Sequence, residues 1–137
     1  MQMQQKMRVE KQVMSKARWL YVILGLVIMM ALGTVYSWSV FRLPVEVLYD
    51  VGTAQSGLPY MTALLFYSLF MFLTGRFFKD WSPRKTILTG TLLVSVGWIL
   101  SAFAPNIQTL TIAYGVISGA GVGIAYGAPL TVVTRWF

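Results

Sequence analysis

Four side chains with hydrogen-bonding tips stand inside otherwise apolar tracts: Tyr36, Trp38, Tyr67 and Tyr126. A phenol hydroxyl donates and accepts, and an indole N–H donates. Inside an apolar tract such a tip needs a partner, either another helix or a wet cavity. The chain carries little other chemistry. It has no histidine and no cysteine, which removes thiolate nucleophiles, disulfides and the usual zinc ligands, and leaves no side chain whose unperturbed pKa lies near neutrality. No nucleophile–base pair, metal-ligand cluster or phosphate loop is present. The expectation is a protein that is not an enzyme and uses neither metal nor cofactor. Gly119, Gly121 and Gly123 imitate part of a dinucleotide fingerprint, but no strand precedes them and the run lies inside an apolar helix.

The elements that must position these residues are read from charge. Residues 86–134 form a run of 49 without a single charge. One membrane span takes about 20 apolar residues, so this run is two spans with a hairpin at Pro105-Asn106. Two more uncharged tracts, 19–41 and 51–75, precede it. The expectation is an all-α integral membrane fold: a tail over 1–18, then a four-span membrane segment over 19–137 with spans at about 19–40, 58–78, 86–103 and 109–133. Ser56 suits the cap of the second span and Pro59 its first turn. Charged residues make up 11% of the chain, against about 25% in soluble domains, and that deficit fits lipid as the solvent.

A net charge of +7 would suit nucleic acid, but its distribution points elsewhere. Lys6, Arg8, Lys11, Lys16 and Arg18 precede the first span. Arg76, Lys79, Arg84 and Lys85 lie between the second and third, and Arg135 follows the fourth. Only Arg42 falls on the other side, beside Glu46 and Asp50. Ten of eleven basic residues therefore share one side, which the positive-inside rule makes cytoplasmic. The expected localisation is the inner (cytoplasmic) membrane, with the N-terminus inside, residues 42–57 and 104–108 outside, and no nucleic-acid partner.

Small residues mark the packing faces. Gly115, Gly119, Gly123 and Gly127 recur every four residues on the fourth span, a spacing that lets another helix backbone approach closely. Pro129 lies further along the same span and leaves the carbonyl of Ala125 without its helical donor. Gly97, alone on the third span, is expected at the periphery. Trp19, Tyr21, Tyr60, Trp81 and Trp136 read as interface anchors. Tyr60, Tyr67 and Thr74 are seven apart and share a face. Tyr67 and Tyr126 lie deeper, where a hydroxyl needs another helix or a wet cavity as partner. Packing is the competing role for all four tips.

Three stretches carry a family resemblance: residues 33–41 (Gly-Thr-Val-Tyr-Ser-Trp-Ser-Val-Phe), the Pro83-Arg84-Lys85 loop, and residues 119–130 (Gly-Ala-Gly-Val-Gly-Ile-Ala-Tyr-Gly-Ala-Pro-Leu) followed by Arg135-Trp136-Phe137. Together they resemble the oxalate/formate antiporter family of the major facilitator superfamily. The resemblance implies a twelve-helix fold of two halves, of which these four helices are the first third, and alternating access around a site between the halves. It implies a loop motif at Gly75, Lys79, Asp80, Pro83, Arg84 and Lys85. Aligned without gaps, Lys79 takes the family's acidic position, Asp80 its basic position and Ser82 its second glycine, so the acidic and basic members are exchanged.

The resulting expectation is an N-terminal fragment of a secondary active transporter for small carboxylates such as oxalate, formate or pyruvate. Its substrate-binding residues would be Tyr36, Trp38, Tyr67 and Tyr126. Its partners would be a small organic anion, the lipid bilayer and a missing C-terminal transporter half that supplies the positive charge. A complete four-span oligomeric transporter or a non-transporting membrane subunit are the alternatives. The first needs a carboxylate inside the first span, which residues 19–41 lack.

Overall fold

A computed structural model describes residues 19–77 and 81–136. The basic tail, Lys79 and Asp80 lie outside these residues, so the exchanged charge pair is not among them. The described chain consists of four helices, each long and apolar enough to cross a membrane. We call them α1 (Trp19–Tyr49), α2 (Thr53–Phe77), α3 (Pro83–Ala102) and α4 (residues 107–136).

α1 is longer than the expected span 19–40. It tightens into a 3₁₀ segment at Gly33–Ser37 and then continues as α-helix over Trp38–Tyr49. Arg42, Pro44 and Glu46 resemble a loop in the sequence, yet all three are helical. Pro44 costs one ladder bond to the carbonyl four residues before it. Arg42 and Glu46 offset this by pairing one helical turn apart, 3.3 Å between Nε and Oε1. Asp50 ends the helix in the left-handed conformation at φ 49°, one of the few non-glycine types that tolerate it. Its N–H and that of Val51 both return to the carbonyl of Glu46.

α2 opens with a one-turn helix, Thr53–Ser56, and runs on as Leu58–Phe77. Ser56 does not cap it from outside, as the sequence suggested. It sits within that first turn, and its hydroxyl donates to Glu46 at 2.6 Å. α3 begins at Pro83 rather than Thr86. Ser82 is its N-cap, accepting from the N–H of Lys85, and Pro83 fills the first position. The turn at Pro105-Asn106 has its expected place, and Asn106 caps α4 by accepting from the N–H of Thr109 at 2.8 Å. Residues Thr111–Ser118 of α4 are wound as π-helix, which the sequence did not indicate.

α4 is the central helix. Of its most apolar stretch 61% is buried, against 11% for α1 and 17% for α3. It lies between α2 and α3, which pack on it from either side. Glycine makes this possible. A Cβ at Gly119 would stand 2.7 Å from the carbonyl oxygen of Ala63 on α2, and one at Gly115 would meet Thr62 at the same distance. A Cβ at Gly123 would overlap the Tyr67 carbonyl oxygen. On the opposite face, Gly121 and Gly90 approach each other backbone to backbone, at 2.6–2.7 Å from added Cβ to oxygen. The row does not extend to Gly127, where a Cβ would meet nothing within 4 Å. Gly97 is not peripheral: it is buried, and a Cβ there would lie 2.7 Å from the Ser118 N–H nitrogen. In lipid such close packing drives helix association. Large apolar side chains such as Met30, Val47, Leu65 and Leu88 cover the outside.

α1 is fastened differently. Leu32, Val35, Trp38 and Val45 form its buried stripe. The Tyr114 hydroxyl of α4 donates to the Val35 carbonyl at 3.2 Å, and the Tyr49 hydroxyl donates to the Ala104 carbonyl at 2.9 Å.

Candidate anion site between the tyrosines

The predicted tips divide into two groups. Tyr36, Tyr67 and Tyr126 converge from α1, α2 and α4. The Tyr67 and Tyr126 rings meet edge to face, 5.4 Å between centroids at 76°. The Tyr67 hydroxyl interacts electrostatically with those of both Tyr126 and Tyr36. Tyr36 is the open member, 57% exposed, while the other two are half-buried. Three neutral donors from three helices thus face one region. A phenol hydroxyl in low dielectric can donate to a carboxylate oxygen without carrying charge itself.

Trp38 belongs elsewhere. It is 6% exposed, and its indole N–H is committed to the Ser56 carbonyl at 2.9 Å. Its ring packs on Tyr114, with centroids 4.6 Å apart, and Trp98 packs on the other edge of Tyr114 at 5.6 Å. Trp38 therefore reads as a pillar of the aromatic core, with its donor already used. Tyr114 was not singled out in the sequence. The signal was its place directly before Gly115, at the head of the glycine row, where a ring and the α2 backbone occupy neighbouring positions.

Two of the cavities among the described residues bear on the site and the loop motif. The one at the α1–α2 corner holds about 610 Å³ and is lined by Tyr36, Trp38, Ser39, Arg42, Thr53, Ala54, Gly57, Tyr60 and Met61. It opens onto the exposed edge of the tyrosine group through Tyr36. The other, about 670 Å³, lies at the basic-loop end between α1, α3 and α4, with Tyr21, Ser82, Arg84 and Pro129 among its lining. Of the loop motif, Gly75 ends near the last turn of α2, Arg76 lies over the Phe77 ring at 5.8 Å, and Pro83, Arg84 and Lys85 form the first turn of α3. The described side chains include no cluster able to hold a metal ion. The charged side chains among them are Arg42, Glu46, Asp50, Arg76, Arg84 and Lys85, and of these Arg42 shares a cavity lining with Tyr36.

No protein-family model matches the chain. Curated relatives do. The chain is 29% identical to an oxalate:formate antiporter of Oxalobacter formigenes over 121 residues, covering 88% of this chain and 29% of the antiporter. It is 25% identical to the MFS-type transporter YhjX of Escherichia coli over 122 residues, 89% of this chain and 30% of that protein. A shorter stretch of 63 residues is 43% identical to monocarboxylate transporter 14 of Mus musculus, covering 46% of this chain and 12% of that one. The chain spans less than a third of the length of these relatives. With four apolar helices and transporters among its relatives, this is a multi-pass membrane protein similar to transporters.

Proposed function

We propose that the chain forms the N-terminal wall of a secondary transporter for small carboxylates, such as oxalate, formate or pyruvate, that works by alternating access. The observation that carries this reading is the edge-to-face contact of Tyr67 and Tyr126 on two helices, with Tyr36 of a third helix as a neighbour of Tyr67. The antiporter and the monocarboxylate transporters among its relatives support the substrate class. Neutral donors can orient a carboxylate, but they cannot repay the desolvation of its charge near the middle of a membrane. The positive partner therefore comes from further helices, consistent with the share of the relatives that this chain spans. In this arrangement the basic-loop end faces the cytoplasm of a cell with an inner membrane, and the α1–α2 corner faces outward.

The test is substrate exchange in vesicles containing the whole protein. Tyr126→Phe should weaken carboxylate binding by about 1 kcal/mol, the scale of one hydrogen bond. These four helices alone should show no saturable oxalate, formate or pyruvate uptake above empty vesicles. Unchanged affinity in Tyr126→Phe and Tyr67→Phe alike removes the tyrosines from the site. Saturable uptake by the four helices alone overturns the need for a second half.

A further inference from the structure

The charged pair at the α1–α2 corner is more than a surface ion pair. Arg42 reaches across the corner. Its Nε lies 3.3 Å from Glu46 and donates to the Ser56 hydroxyl at 3.2 Å, and one terminal nitrogen donates to the Thr53 carbonyl at 3.1 Å. Its other terminal nitrogen has no protein acceptor among the described residues. Arg42 is among the residues lining the 610 Å³ cavity, and Glu46 is not. Arg42 is also the more open partner, 41% exposed against 21% for Glu46. Glu46 is drawn back by the 2.6 Å bond from Ser56, a residue that is itself fully buried. The pair is thus an oriented dipole with its positive end toward the cavity.

The other groups around that cavity suit an anion. Tyr36, Ser39 and Tyr60 line it with hydroxyls, and among the described residues no acidic side chain and no cation other than Arg42 does. Tyr36, which lines it, is also a neighbour of Tyr67. Polar groups thus run from Arg42 through Tyr36 toward the tyrosine pair. We infer that the Arg42 corner is an anion-capture site, in which the guanidinium collects a small carboxylate at the cavity mouth and hands it to Tyr36. Arginine suits this role because its planar fork can bind a carboxylate bidentately while other donors hold the protein. Glu46 acts as a positioning residue: it fixes the fork and moderates its charge, so that capture is followed by release. The physiological ligand rests on the transport reading above. The electrostatic site does not.

The chain's lack of cysteine makes a direct test possible. Ala54 lines the same cavity and is exposed. In Ala54→Cys protein, the rates of modification by a sulfonate-bearing and a trimethylammonium-bearing methanethiosulfonate are compared in unsealed membrane fragments, where both faces are reachable. A neutral methanethiosulfonate normalises for exposure of the thiol. The anionic-to-cationic rate ratio should fall several-fold on adding Arg42→Gln, stay mostly intact with Arg42→Lys, and rise with Glu46→Gln. A purely structural staple predicts a different pattern, because lysine cannot reproduce the fork and loss of either partner would act in the same direction. The inference is overturned if Arg42→Gln leaves the ratio unchanged, or if Arg42→Lys behaves like Arg42→Gln. A charge-dependent ratio in a protein that exchanges no carboxylate refutes the proposed substrate and leaves this site standing. Carboxylate exchange with no charge-dependent ratio does the reverse.

Discussion

A single methyl group at Gly119 should separate two helices, and the same methyl at Gly127 should not. An alanine Cβ at Gly119 would lie 2.7 Å from the carbonyl oxygen and 2.9 Å from the Cα of Ala63, both backbone atoms. Moving the first of these to an ordinary contact of 3.4 Å requires a displacement of about 0.7 Å, and no side chain can rotate aside to supply it. α4 must therefore shift away from α2 along the row that includes Gly115 and Gly123. The cost falls in the overpacking range of about 1–3 kcal/mol. A Cβ added at Gly127 would meet nothing within 4 Å, so Gly127→Ala should be neutral or stabilise by up to ~1 kcal/mol through helix propensity. Equilibrium unfolding in mixed detergent micelles, followed by tryptophan fluorescence, reads both. Equal effects of the two substitutions, or a stabilised Gly119→Ala, would refute the argument that backbone contact along this row holds the bundle.

Two further outcomes follow from the same coordinates. Trp38→Phe removes the donor of the buried Ser56 carbonyl and should cost about 1–3 kcal/mol, measured in the same unfolding assay. Trp98→Phe, whose indole nitrogen has no protein acceptor among the described residues, should cost less, and a reversed order would contradict this assignment. For topology, in intact cells a cysteine at Ser82 should resist an impermeant thiol reagent and one at Asn106 should react. Labelling at Ser82 would invert the proposed orientation.

The helices were legible because a charge-free run long enough to cross a membrane has few alternatives, and the motif resemblance agrees with the relatives found. Their ends were less so. Arg42, Pro44 and Glu46 look like a loop by type, and only the Arg42–Glu46 pairing and the Asp50 left-handed end show why the helix runs on past residue 40. The four-residue glycine repeat marked a packing face on α4, but its reach did not include Gly127. Gly97 was misplaced because a lone glycine carries no period to indicate a partner; only the position of Ser118 and Ala113 against it reveals the contact. At the site, Tyr67 and Tyr126, read as the deeper tyrosines, lie ring against ring. Trp38, chosen for its donor, has its N–H engaged by the Ser56 carbonyl, since hydrogen-bonding type in a sequence does not say whether a backbone carbonyl has claimed it.

The central place of α4 also bears on how such a bundle is made. α2 and α3 each pack extensively on α4, whereas no comparable contact joins α2 to α3 directly among the described residues. α1 in turn is tied to α4 through Tyr114, to the turn before α4 through Ala104, and to α2 at the corner where Trp38, Arg42 and Glu46 meet Thr53 and Ser56. During synthesis α1 and α2 can therefore join at that corner once both are in the bilayer, but the surface that packs α2 and α3 arrives only with α4. Closing the bundle is then a late event, in which α4 slides its glycine faces between two neighbours at once, and a ribosome paused ahead of residue 107 would leave α3 without its packing partner.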